Sequence, residues 1–127
     1  MTHPNETLLR TGYGAFATAD IPTVLGIFDP NITWSVGGNH SLTGTYKGHD
    51  EVVGFFTRIF ELTGGNFSLQ IEQIIADDTG AAVLCTARGT RDGVEHSGRL
   101  VHVWTVENGK ATSFEEFSNG AEDALFA

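Results

Sequence analysis

Two dipeptides set the character of the second half of this chain. Asp92-Gly93 and Asn108-Gly109 each stand between runs rich in apolar and β-branched residues. Both suit the two-residue, positive-φ turns that close antiparallel hairpins. Upstream, Phe67, Leu69, Ile71, Gln73 and Ile75 alternate with polar residues, and Asp77-Asp78-Thr79-Gly80 turns the chain. With residues 81–91, 94–106 and 111–118, this predicts a meander of four consecutive antiparallel strands.

The first half keeps a different period. Leu9, Tyr13 and Phe16 share one helical face within residues 6–18, although Gly12 and Gly14 each cost the helix roughly 1 kcal/mol relative to alanine. Tertiary packing must therefore hold it. Asp20 suits an N-cap, Pro22 is tolerated in a first turn, Val24, Leu25 and Phe28 form a buried side, and Asp29-Pro30 ends the segment. Asn31 to Val36 reads as a strand with Ile32, Trp34 and Val36 on one face, followed by a Gly-rich loop at 37–44. Residues 48–62 carry the strongest helical pattern, with Val52, Phe55, Phe56, Ile59 and Phe60 on one side and Gly64-Gly65 as the stop.

Helix, helix, strand, helix and a four-strand meander predict an α+β fold, with helices on one face of a curved, mainly antiparallel sheet and a concavity between the layers. The 127 residues make one domain over 1–127, without a linker or repeat. Sixteen acidic against seven basic residues give a net charge of −9, which argues against nucleic acid as a partner. The single Cys85 allows neither an internal disulfide nor a CxxC pair, and the five histidines lack metal-ligand spacing. No Gly-rich loop joins a strand to a helix in the dinucleotide manner, so no cofactor is expected. The opening MTHPNETLLR lacks a signal-peptide pattern, and no apolar run approaches the ~20 residues of a membrane span, so the expectation is a cytoplasmic protein with no membrane partner.

The segments RTGYGAFATADIPTVLGIFDPNITWSV, TGTYKGHDEVVGFFTRIFELTGG and VHVWTVENGKATSFEEFS resemble the SnoaL-like branch of the nuclear transport factor 2-like superfamily. That superfamily includes ketosteroid isomerases, limonene-epoxide hydrolases and scytalone dehydratases. The resemblance implies a cone of helices wrapped on a curved sheet, an apolar pocket and a homodimer. It also implies site positions. Tyr13 stands where ketosteroid isomerases place an oxyanion-binding tyrosine, and His102 falls at their second oxyanion donor. Val36 occupies the place of their general-base aspartate. Limonene-epoxide hydrolases carry Arg-x-Asp on a middle strand, which LCTARGT lacks, while Glu116 matches their last-strand carboxylate.

Strand parity points to the same residues. A two-residue Asp92-Gly93 turn pairs Arg91 with Val94, Cys85 with Leu100 and Val83 with His102. His102 is then the polar exception on a face of small or apolar residues. Two registers remain open for the last hairpin. A three-residue loop at 108–110 sets Glu116 opposite His102, Phe114 opposite Trp104 and Ser118 opposite Leu100; a two-residue turn sets Glu115 there instead. The first is preferred for the company it gives Phe114. Either supplies His102 with a carboxylate that would raise its pKa and fix its tautomer. The expected catalytic set is His102 for proton transfer, Glu116 to orient it and Tyr13 as hydrogen-bond donor. Phe16, Trp34, Val36, Phe56, Leu100, Trp104 and Phe114 are expected to hold a small hydrophobic molecule. Two function classes follow: a cofactor-independent acid–base enzyme, or a binding or dimerisation module of the same fold.

Overall fold

The computed structural model describes residues 2–120 and 122–127, and its first helix begins where the sequence supplies a cap. His3 Nδ1 accepts from the Asn5 amide at 3.0 Å, and α1 runs over Pro4–Ala17. Asp20 caps α2, Ile21–Gly26, by accepting from the Thr23 amide at 3.4 Å, and its other oxygen accepts from the Thr23 hydroxyl at 2.7 Å. Gly12 explains its own cost to α1: a Cβ there would collide with Ile27 Cδ1, so glycine lets the helix lie against the end of α2 without displacing the Ile27 side chain.

Strand β1 covers Phe28–Val36, β2 Gly44–Lys47, α3 Gly48–Thr63, β3 Phe67–Asp77, β4 Gly80–Arg91, β5 Val94–Glu107 and β6 Lys110–Ser118. The sheet order is β2-β1-β6-β5-β4-β3, antiparallel throughout except for the parallel β1–β6 pair. Helices packed on one curved, open sheet give the expected α+β architecture. Strand β1 begins three residues before the predicted Asn31, because Phe28 pairs with Ala111 of β6. The edge strand β2 follows the predicted Gly-rich loop. Its four residues show no alternation of their own and are ordered by pairing with β1, Trp34 opposite Tyr46.

The period-two reading of β3 holds only to Ile71. Ile71 pairs with Cys85 and Gln73 with Leu84, so Glu72 is an extra residue in a β-bulge. Past the bulge the faces exchange. Ile74 is buried, while Gln73 and Ile75, predicted to share a face with Ile71, point outward.

Both predicted hairpin turns form. Asp92 and Gly93 have φ of 53° and 80°, and Cys85 pairs with Leu100 and Val83 with His102 as parity requires. At the second turn Asn108 and Gly109 have φ of 52° and 74°, and Glu107 pairs with Lys110. This is a two-residue turn, not the three-residue loop of the preferred register. A bulge then intervenes: Val106 pairs with Ala111 but Thr105 with Ser113, leaving Thr112 unmatched. The extra residue shifts the ladder by one, so His102 faces Glu116 and Trp104 faces Phe114 after all. The preferred partners are correct, and the bulge is the reason.

Candidate active site in the cone

Five rings surround the indole of Trp34. Phe114 stacks on it at 3.7 Å between centroids and 15° between planes, and Phe28, Phe55, Phe56 and Trp104 lie within 6 Å. Each comes from a different step of a pattern: β1 alternation for Trp34, the i, i+3, i+4 face of α3 for Phe55 and Phe56, and the β5–β6 register for Trp104 and Phe114. Such offset and edge-on ring pairs add to the area they bury. They close much of the cone. The cavity offers about 50 Å³ to the centres of water-sized molecules, and with its open mouth it encloses about 570 Å³. A ring ligand therefore enters only if wall side chains move.

Tyr13, Phe16, Trp34, Phe56, Trp104 and Phe114 line this cavity as expected. Val36 and Leu100 are buried without lining it. Val36 sits in the main core opposite Glu116 on the parallel neighbour, and Leu100 packs with Cys85 and Ala87 in a satellite cluster. Tyr46 donates to the Leu42 carbonyl, and His40 lies against Phe126, both away from the cavity lining.

The polar groups meet at one wall. Trp104 Nε1 donates to the Tyr13 hydroxyl at 3.0 Å, and Tyr13 Oη lies 2.6 Å from His102 Nδ1. With the indole already donating to Oη, the phenolic proton is directed to Nδ1, which assigns the remaining imidazole proton to Nε2. Nε2 lies 3.6 Å from Glu116 Oε2, close enough to pair if the ring took a proton but beyond hydrogen-bond length. His102 and Glu116 are both almost fully buried.

Burial reverses the expected protonation. Removal from water pushes the His102 pKa down to about 4, outweighing the upward pull of Glu122, so the ring is neutral at physiological pH. The sequence expectation of a raised value fails because desolvation exceeds the carboxylate's attraction. The same burial raises the Glu116 carboxyl, drives Tyr13 well above its ordinary value, and pushes the Cys85 thiol up to about 12. Cys85 Sγ touches the imidazole at 3.9 Å as an inert thiol.

Sequence reasoning missed one member of the wall. Glu122 is 3% exposed, lines the cavity, and shares a hydrogen bond with Glu116; burial and that neighbour hold its carboxyl far above the usual range. The tail AEDALFA offered no period to read. The only signal was an acidic residue placed before the apolar Leu125-Phe126 pair, which is itself buried. Among the described residues, Trp34 Nε1 and Glu122 Oε1 are buried polar side-chain atoms without a hydrogen-bond partner.

A helix-lined cone on a curved sheet, holding a neutral imidazole and two carboxyls raised by burial in an apolar cavity, defines a class of small α+β ligand-binding folds. The chain belongs to the SnoaL-like domain family, whose family model matches residues 9–114, and to the nuclear transport factor 2-like superfamily. It is 31% identical to a nuclear transport factor 2-like protein of unknown function from Burkholderia pseudomallei, with a TM-score of 0.88 and 98% of each chain covered. The structure of TerC co-crystallised with polyporic acid superposes with a TM-score of 0.87 at 25% identity, again covering 98% of both chains. An uncharacterised protein of Mycobacterium bovis is 27% identical over 111 residues, 87% of this chain and 85% of its own length. These likenesses support a small-molecule-binding or isomerase-type family. No helix among the described residues is long and apolar enough to cross a membrane.

Proposed function

We propose that this protein binds a hydrophobic, ring-bearing small molecule in its cone and moves a proton on it without a cofactor, as isomerases, cyclases and hydrolases of this fold do. One observation carries the reading: a buried neutral imidazole and a carboxyl pair stand side by side on the wall of an apolar cavity. The co-crystallisation of TerC with polyporic acid supports the choice of an organic ligand.

The hydrogen bonds suggest a proton path. A ligand proton passes to Tyr13 Oη while the phenolic proton passes to His102 Nδ1, 2.6 Å away. The imidazolium that forms is paired with the Glu116 carboxylate. The Tyr13 hydroxyl, no longer directed at Nδ1, donates to the ligand oxygen on which negative charge has gathered. The reverse path returns the proton to another ligand atom, so the site ends as it began.

Ring compounds should quench tryptophan fluorescence and raise the melting temperature. Once one is turned over, His102→Gln should lower kcat on the order of 10²-fold or more, because the amide cannot take the proton. The base stays neutral down to about pH 4, so the rate should hold through pH 6.5 and decline only near the lower value. Unchanged turnover in His102→Gln would eliminate the acid–base reading. It would favour a non-catalytic binding module, which the small cavity and Val36 at the general-base position of ketosteroid isomerases also favour. The assembly we propose is a homodimer through the outer sheet face, where Val101, Val103 and Phe117 remain exposed.

A further inference from the structure

The C-terminal turn places a carboxyl in the cone that the turn itself does not need. Its seat is built by other groups. The Ser41 amide donates to the Phe126 carbonyl at 3.0 Å, Arg91 Nη1 donates to the Leu125 carbonyl at 3.0 Å, and the Asn39 amide donates to Asp123 Oδ1 at 2.9 Å. Leu125 and Phe126 are buried, and Phe126 packs on Phe67 at 5.7 Å. Asp123 thus uses its carboxylate to tie down a loop. Glu122 next to it points inward beside Glu116, and its Oε1 is buried with no hydrogen-bond partner among the described residues.

A carboxyl oxygen stripped of water and left unpaired costs free energy that a structural residue would avoid. Across the same cavity, the aromatic wall holds a second orphan of the opposite kind, the Trp34 indole N–H. The cavity therefore lacks a donor for Glu122 Oε1, and a ligand hydroxyl group supplies one. Glu116 beside Glu122 makes a carboxyl pair that holds a proton between its members, so a ligand carboxylate or phosphate would meet like charge there.

We propose that Glu122 anchors the ligand, its unpaired carboxyl oxygen accepting a hydrogen bond from a neutral hydroxyl at the buried end of the molecule. The assignment rests on the small-molecule reading above and adds to it which end of the ligand is polar, which group holds it, and that this group is uncharged.

Phenol and toluene have nearly the same shape and differ in the hydroxyl, so they separate anchoring from filling of the apolar space. Each is titrated into the wild-type protein, Glu122→Gln and Glu122→Leu, with dissociation constants read from amide NMR shifts. Glu122→Leu should weaken phenol about tenfold and leave toluene within about twofold, the expected loss of one buried hydrogen bond. Glu122→Gln should retain phenol, because its amide N–H can donate to Glu116 while its carbonyl faces the cavity. A readout free of folding effects comes from the wild-type protein alone. The ¹³C carboxyl resonance of Glu122, assigned by its loss in Glu122→Gln, should move on adding phenol and stay in place with toluene. Equal phenol affinity in wild type and Glu122→Leu, or a carboxyl resonance indifferent to which probe is added, would overturn the anchor alone. Failure of both probes to bind the wild-type protein would overturn the small-molecule reading, and the anchor with it.

Discussion

The two walls of the cone are built on opposite principles. Around Trp34, five rings fill space and nearly close the cavity, and their burial stabilises the fold directly. Along Tyr13, His102, Glu116 and Glu122 the same degree of burial is unfavourable. It keeps an imidazole neutral, raises two carboxyls, and leaves an oxygen without a partner. An apolar set of equal volume would fold as well or better. Stability explains the aromatic wall and does not explain the polar one.

The largest test of that contrast removes the aromatic side. Phe114 is fully buried and stacks on Trp34, so Phe114→Ala should cost about 3–5 kcal/mol in chemical denaturation, the usual loss for a large core ring. A loss under 1 kcal/mol would mean that the rings do not hold the fold together.

The next effect concerns the polar side and depends on pH. The folded state holds His102 at about 4 against 6.5 in the unfolded chain. Stability from this group is therefore fully present above pH 6.5 and is lost as pH falls towards 4, roughly 3 kcal/mol in all. His102→Gln should flatten this acid limb. Glu122 acts in the other direction: its folded pKa is raised, so it disfavours folding increasingly as pH climbs above the ordinary carboxylate range. An acid limb of the same slope in wild type and His102→Gln would place the titration elsewhere.

The smallest effect lies outside the cone. Phe117 is 54% exposed on the outer face, so Phe117→Ser should change the stability of one subunit by no more than about 0.5 kcal/mol. In light scattering, the wild-type protein should show twice the chain mass at micromolar concentration and the variant a single chain. A monomeric wild type would remove the dimer.

Much of this is legible in the sequence alone. The Asp92-Gly93 turn fixed a register in which Val83 faces His102, because a two-residue turn leaves no freedom in the pairing that follows. The α3 face and the alternation of β1 marked Trp34, Phe55 and Phe56 as buried. The bulges were not legible. Glu72 in β3 and Thr112 in β6 carry no local mark, and each exchanges the faces of every residue beyond it.

Local chemistry in the sequence determined which residues turn, which alternate and which faces are apolar, since φ preferences and side-chain period act over a few positions. Strand pairing, nearly a counting rule, brought His102 and Glu116 together, while Tyr13 came forward through the family resemblance. Tertiary structure alone decided their protonation, because the pKa of His102 depends on how much water the whole cone excludes. It also decided that Glu122 joins them. Nothing within the tail aims that side chain inward. The burial of Leu125 and Phe126 against the sheet does so, across contacts that no local pattern encodes.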